Sequence, residues 1–406
     1  MGTTTAKEKI ETIEDSGFPI GFKFRQGTAR PDILGAGPAR DVYVTEARAL
    51  SGYQKEGIVH EGETGSAWRM ATDEGLHLGG ADIAPFPLGF FNAGLHADLI
   101  GRILQIAKAR DIQIDDLKLD LKNGYYVIGS FVRGDAKGHV EPSRILAEIS
   151  SPAPADAISK LVHDAIKASP AMATMQTPVS STFAIYVNGR RRVVTSLPNS
   201  DTPDVPDPYK TYSAVPTPLA GSDELSDIIW KTGEANEGEI QPAINGTDDK
   251  VKRIVRTIAG NSELLDPAGV VETDAVLGLP GMSNFKFKTD ERVDGDQAPS
   301  GLALIAAGIA FCYLTQVERY TIHQKFNIRG ARLVQYTPFT LSGHPADGSW
   351  TGDIEPVDTH LFLSGEEDDE THEKLMKIAA TVCYLHATLA DSVIADVKID
   401  LNGTPI

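Results

Sequence analysis

Sulfur is scarce in this chain: 406 residues carry only two cysteines, Cys312 and Cys383. Two are too few for a disulfide scaffold, and in a reducing compartment such a pair is either buried packing or redox chemistry. Positive charge is also in short supply, with 38 Lys and Arg against 56 Asp and Glu and a formal net charge of −18. That balance argues against a nucleic-acid partner, which needs cations to displace counterions, and against docking on anionic lipid. No uninterrupted apolar run approaches the ~18 residues that span a bilayer. The opening "MGTTTAKEKIETIEDSGF" lacks the charged-then-apolar pattern of a secretion signal, so a cytoplasmic chain without membrane contact is expected. There is no Walker motif, dinucleotide fingerprint or zinc signature, so neither a cofactor nor a metal is expected.

What the chain does contain is an internal duplication. "GHVEPSRILAEIS" (138–150) aligns with "GDIEPVDTHLFLS" (352–364) at an offset of 214. The same offset places "APFPLGFFNAGLHADL" (84–99) on "APSGLALIAAGIAFCY" (298–313), and "IYVNG" (185–189) on "IDLNG" (399–403). "ISKLVHDAIKASPAMATM" (158–175) falls on "HEKLMKIAATVCYLHATL" (372–389), and "ATDE" (71–74) pairs with "KTDE" (288–291) after a three-residue gap. One offset held across loops indicates two fused copies of one unit. The units are expected at residues 1–196 and 236–406, with a Pro- and Asp-rich connector at 197–235.

Periodicity gives each unit its elements. Leu88, Phe91, Leu95, Leu99, Ile103 and Ile106 step by three or four, as a helix with a buried stripe does; Leu302, Ile305, Ile309, Cys312, Gln316 and Tyr320 repeat it. Strands are expected over 117–132 and 144–150, a second helix over 155–176 and 369–390, and a closing strand at "FAIYVNG" or "ADVKIDLNG". "ARDVYVTEARAL" and "GSAWRMAT" read as a meander ahead of the first helix. The fold class is α+β.

"APSGLALIAAGIAFC" resembles the first-cysteine motif of the osmotically inducible protein C and organic hydroperoxide resistance (OsmC/Ohr) family, and "IAATVCYLHATL" resembles its second. The resemblance covers about 60–189 and about 275–403. It implies two tandem OsmC-like units forming an intertwined pseudo-dimer, with central helices wrapped by antiparallel β-sheets. It further implies thiol-dependent reduction of an organic hydroperoxide, with Cys312 attacking, Cys383 resolving and a dithiol reductant as partner. Several positions depart from the family pattern. The first copy has Asp98 and Ser169 at the two cysteine positions, Tyr384 stands where the second motif has Pro, and Leu302 where the hydroperoxide-reducing branch has Glu. That branch also uses an Arg from its N-terminal strands, for which Arg253 and Arg256 are candidates by vicinity.

A thiolate needs a cation, a base or a helix N-terminus beside it. His386, three residues after Cys383, shares its face on a helix and can activate either sulfur. A Cys–His pair also serves hydrolysis, so a cysteine-dependent hydrolase with Cys312 or Cys383 and His386 is one alternative. A non-catalytic protein binding a small apolar molecule is another. In the first copy, Asn92, His96, Asp98 and Ser169 would line a second or degenerate site. His96 and Asp98 are two apart and do not share a helical face, which argues against a metal pair. Further association of the pseudo-dimer into a homo-oligomer is left open. "GEEDDETHE" (365–373) is acid placed at a helix start, and "NGRRR" (188–192) a hairpin turn with an exposed strand.

Overall fold

The computed structural model describes residues 11–28, 30, 39–219, 228–233, 237–240 and 255–406. Alternating apolar residues in "RILAEIS" bury every second side chain, as the two-residue period of a strand requires. Strands and helices are numbered in chain order. One nine-stranded sheet runs β1 (Gly21–Arg25), β4 (Ala67–Thr72), β3 (Lys55–His60), β2 (Ala39–Ala49), β14 (Ile328–Ser342), β16 (Asp358–Gly365), β8 (Thr182–Val187) and β9 (Arg190–Arg192), with β15 (Thr351–Ile354) on β14. The other runs β10 (Ile229–Thr232), β13 (Asn284–Asp290), β12 (Val270–Leu277), β11 (Arg256–Asp266), β5 (Asp116–Ile128), β7 (Arg144–Ser150), β17 (Asp396–Leu401) and β18 (Thr404–Pro405), with β6 (Lys137–Val140) on β5. Each sheet is thus assembled from strands of both halves of the sequence, in the same spatial order.

The sheets are mixed rather than antiparallel throughout. β16 pairs parallel with β8, and β17 parallel with β7. Each closing strand adds to a strand from the other half, so no hairpin forces the pair to run antiparallel. β8–β9 and β17–β18 do turn through hairpins, at Asn188–Gly189 and Asn402–Gly403, all four residues at positive φ as a two-residue primed turn demands. Strand β10 lies inside the 197–235 stretch read as connector. Further back in that stretch, Tyr212 is buried and its hydroxyl donates to the Glu46 carbonyl of β2 at 2.7 Å.

Helices α1 (Pro87–Ala109) and α4 (Gly301–Gln324) fill the space between the sheets. α1 packs on β11, β12 and β5, α4 on β2, β14 and β3, and the two helices pack on each other. Both are therefore buried on all faces along most of their length, not along one stripe. α4 is long and apolar enough by composition to cross a membrane, but its most apolar stretch is wholly buried within the protein. The helices approach closely at glycines: a Cβ on Gly94 would lie 2.6 Å from the Gly301 carbonyl oxygen, and one on Gly301 would lie 2.7 Å from that of Gly94. Phe90 makes edge contacts with Phe311 and Phe287 at 5.4 and 5.1 Å, each worth about 0.5–1.5 kcal/mol beyond area burial.

The second helix of each half is not continuous. α2 (Ala155–Ala168) stops at Ser169 and α3 (Pro170–Gln176) restarts; α5 (Asp369–Val382) stops at Cys383 and α6 (Tyr384–Ala390) restarts. Ser169 and Cys383 both take extended backbone angles, ψ 111° and 117°. Pro170 explains the first break, because a proline excludes the helical conformation of the residue before it. Asp368 caps α5 by accepting from the Thr371 amide, which accounts for the acidic run before that helix.

Candidate functional site

The break at Cys383 brings its side chain against α4. Cys312 sits in the middle of α4 and hydrogen-bonds with Cys383, the two remaining free thiols. Cys383 is fully buried and Cys312 is 3% exposed. His386, in the first turn of α6, places Nδ1 3.4 Å from the Cys383 sulfur. Its ring lies between Phe183 and Tyr313 at 5.3 and 5.2 Å, and its Nε2 has no hydrogen-bond partner among the described residues. Tyr125 of β5 and Tyr384 flank the pair, their rings 5.5 Å apart.

Charge is distributed unequally over the two sulfurs. Burial pushes the Cys312 thiol well up, and the Cys383 sulfur and the Glu74 carboxyl push it the same way against the Leu385 amide. At Cys383 burial again opposes charge, but the Cys312 thiol, the His386 imidazole and the His386 amide together hold its pKa well below the usual range. Of the two sulfurs, Cys383 is thus the one whose surroundings favour negative charge and Cys312 the one whose surroundings favour the proton. Arg256 and Arg319 act on Tyr384, each lowering its pKa against burial. Of the two arginines considered from the sequence, Arg256 is at this edge of the site, and Arg253 lies outside the described residues.

At the corresponding place on α1, Asp98 stands where α4 has Cys312. Its Oδ1 accepts from Arg102 Nε and Nη2 at 3.0 and 2.8 Å; its Oδ2 accepts from Ser169 Oγ at 2.5 Å and the Ala171 amide at 3.2 Å. Ser169 also caps α3 by accepting from the Met172 amide at 3.0 Å. A cavity of about 80 Å³ opens beside this cluster, lined among others by Arg30, Tyr43, Arg102, Pro170, Glu291 and Leu302. Arg30 Nη2 lies 3.7 Å from Glu61, and Glu291 accepts from the Gly301 amide at 2.6 Å.

Of the expected first-copy residues, Asp98 and Ser169 come together, while His96 turns away. Its Nδ1 is 2.7 Å from Ser262 Oγ, and burial pushes its pKa down to about 3. Asn92 points the same way, donating to the Leu121 carbonyl and to Asn123. Among the described residues no group of His, Cys, Asp or Glu could hold a metal ion. Sequence reading did not single out Arg30, Arg102 or Glu74. Arg102 was legible as the residue four after Asp98, and Glu74 as the last residue of the repeated Thr-Asp-Glu.

Residues 294–398 match the family described as OsmC-like protein. That stretch contains α4, both cysteines and His386. No curated protein matches the chain. Among solved structures, an OsmC-like hydroperoxide resistance protein from Jannaschia sp. CCS1 aligns at 20% identity over 37% of this chain and 95% of that chain, with a TM-score of 0.25.

Proposed function

We propose that this chain is two tandem OsmC-like units folded as a pseudo-dimer, and that its Cys312–Cys383 pair reduces organic hydroperoxides. The observation that carries the reading is the contact between the two thiols, with His386 against one of them, inside the OsmC-like stretch. The pseudo-dimer is supported by the identical order of the two sheets and by the left-handed turns that recur 214 residues apart.

Cys312 attacks, since it is the sulfur with surface. Its proton passes to Cys383 across the thiol–thiolate contact, and the Cys312 thiolate displaces on the terminal peroxide oxygen. The O–O bond breaks, and the alkoxide leaves as alcohol with a proton from the imidazolium form of His386 or from water. Cys312 is then a sulfenic acid. Cys383, losing its proton to His386, attacks that sulfur and expels hydroxide, which is protonated to water. The products are a Cys312–Cys383 disulfide, one alcohol and one water per hydroperoxide. A dithiol reductant reopens the disulfide by exchange.

The test is peroxide consumption with cumene hydroperoxide and a dithiol. With the dithiol, wild type turns over and Cys312→Ser is inactive; without the dithiol, Cys383→Ser consumes no more than one equivalent, more slowly than wild type because it lacks the sulfur that takes the Cys312 proton, and leaves a sulfenic acid that dimedone traps. Turnover by Cys312→Ser would discard this assignment of roles. Hydrolysis of an ester dependent on His386, without peroxide loss, would move the reading to the hydrolase alternative.

A further inference from the structure

The repeated Thr-Asp-Glu contributes an acid to each of the two sites. In the first copy, Thr72 donates to the Pro85 carbonyl, and the Asp73 carboxyl accepts from the amides of Glu74, Ala81 and Ile83. In the second, Asp290 accepts from the amides of Arg292 and Gln297. Both aspartates thus brace the turn that follows, and both leave the next residue, a glutamate, projecting to the central helix of the other half. Glu291 lies against Gly101, three residues after Asp98; a Cβ there would be 2.9 Å from the Glu291 Cβ. Glu74 accepts a 2.6 Å hydrogen bond from Thr315, three residues after Cys312 and at the position corresponding to Gly101. Two glutamates therefore reach equivalent places on two helices, one beside the thiol pair and one beside the aspartate that replaces a thiol.

Glu74 is 6% exposed and cannot readily swing away. Its carbonyl accepts from the Asp82 amide, and a side chain on Gly80 would strike its backbone at 1.9 Å. Burial pushes the Glu74 pKa up, against Lys55 of β3, the Thr315 hydrogen bond and Arg319 of α4, while its neighbour Asp73 pushes the same way as burial; Glu318 of α4 and Tyr53 also face it, and the titration below is read where Glu74 is ionised. Lys55 is itself wholly buried and shared with Glu318 at 3.4 Å. On the helix face toward the site, Glu74 acts on Cys312 and on Tyr384.

We propose that Glu74 is a positioning residue of the thiol pair: held on Thr315 one turn after Cys312, its carboxylate keeps the proton on Cys312 and the negative charge on Cys383. A like charge nearby disfavours a second anion, and the low-dielectric interior leaves that repulsion poorly screened. The first half of the chain thereby sets the charge state of chemistry carried by the second. This deepens the peroxidase reading, but its test needs no peroxide.

The chain has only two cysteines, so in a Cys383→Ser background thiolate absorbance near 240 nm reports Cys312 alone. Glu74→Gln keeps an oxygen for Thr315 and removes the charge. The thiolate fraction of Cys312 at a fixed pH below its midpoint should then rise about threefold or more, while Glu74→Asp stays near the parent. Thr315→Val, which releases the carboxyl, should give a smaller rise in the same direction. An unchanged titration in a folded Glu74→Gln protein, or a fall in thiolate, overturns the proposal even if peroxide turnover is intact. A shifted titration without peroxide turnover keeps the role of Glu74 and discards the peroxidase reading instead.

Discussion

Cys312 and Asp98 hold corresponding places on two neighbouring helices, and each depends on what stands beside it. Asp98 is a buried carboxylate compensated by Arg102, 7% exposed, and by Ser169. Arg102→Met would leave that charge unpaired and should cost about 3–5 kcal/mol in urea denaturation; a loss below 1 kcal/mol would show that the pair is not what holds Asp98. His386 does the corresponding work for Cys383. In a Cys312→Ser background, His386→Gln should raise the pH at which Cys383 becomes thiolate, and an unmoved titration would assign that role elsewhere. Three further carboxyls are pushed up chiefly by burial, Asp41 to about 6 and Glu291 and Glu318 to about 7. A raised folded pKa means the native state holds protons that the unfolded chain releases earlier. The stability they contribute is fully present below about pH 4.5 and is lost as pH rises through about 7. Buried His77 and His96, pushed down to about 4 and about 3, act the other way over the same window, so the readout is a difference: Glu291→Gln with Glu318→Gln should raise the urea midpoint over the parent more at pH 7.5 than at pH 5. A gain over the parent that does not grow across that window contradicts those assignments.

At the level of elements, the crossing of α1 and α4 sets the geometry of both sites. Gly94→Ala would gain about 1 kcal/mol of helix propensity but place a Cβ 2.6 Å from the Gly301 carbonyl oxygen. Overpacking should win, at a net cost of about 1–3 kcal/mol by urea denaturation, and a stabilised variant would contradict the close crossing. Much of this level was legible beforehand. The strand 144–150, the strand expected over 117–132 as far as Ile128, where β5 gives way to a turn, both central helices and the acidic cap of α5 follow from local period and chemistry. The breaks at Ser169 and Cys383 did not, although Pro170 signalled the first. The second has no proline, and only the packing of Cys383 against α4 reveals it. The stripe on α1 was read as one buried face because periodicity marks the most apolar side. It does not register that Asn92, within that stripe, and His96 and Asp98, at its two edges, are buried as well, each with polar partners from other elements. Arg30 escaped for a related reason: its role comes from long-range proximity, and nothing local distinguishes it from a surface charge.

Across the whole molecule, each sheet depends on both halves of the chain, so neither half has a complete sheet of its own. A single cooperative unfolding transition is expected, with fluorescence and circular dichroism coinciding. Two separate transitions would mean that the halves are independent. The repeated offset raised the expectation of two units, but not the parallel pairing of β16 with β8 and of β17 with β7, each of which joins a strand of one half of the sequence to a strand of the other. The central claim is that Cys312 and Cys383, between two sheets that each draw strands from both halves, form one redox pair. The most direct measurement is mass spectrometry of the reduced protein after substoichiometric cumene hydroperoxide, intact and as peptides. The account predicts loss of two hydrogens and a peptide pair linked through Cys312 and Cys383. Unchanged mass with the peroxide unconsumed, or oxidation that never joins the two cysteines, would contradict it.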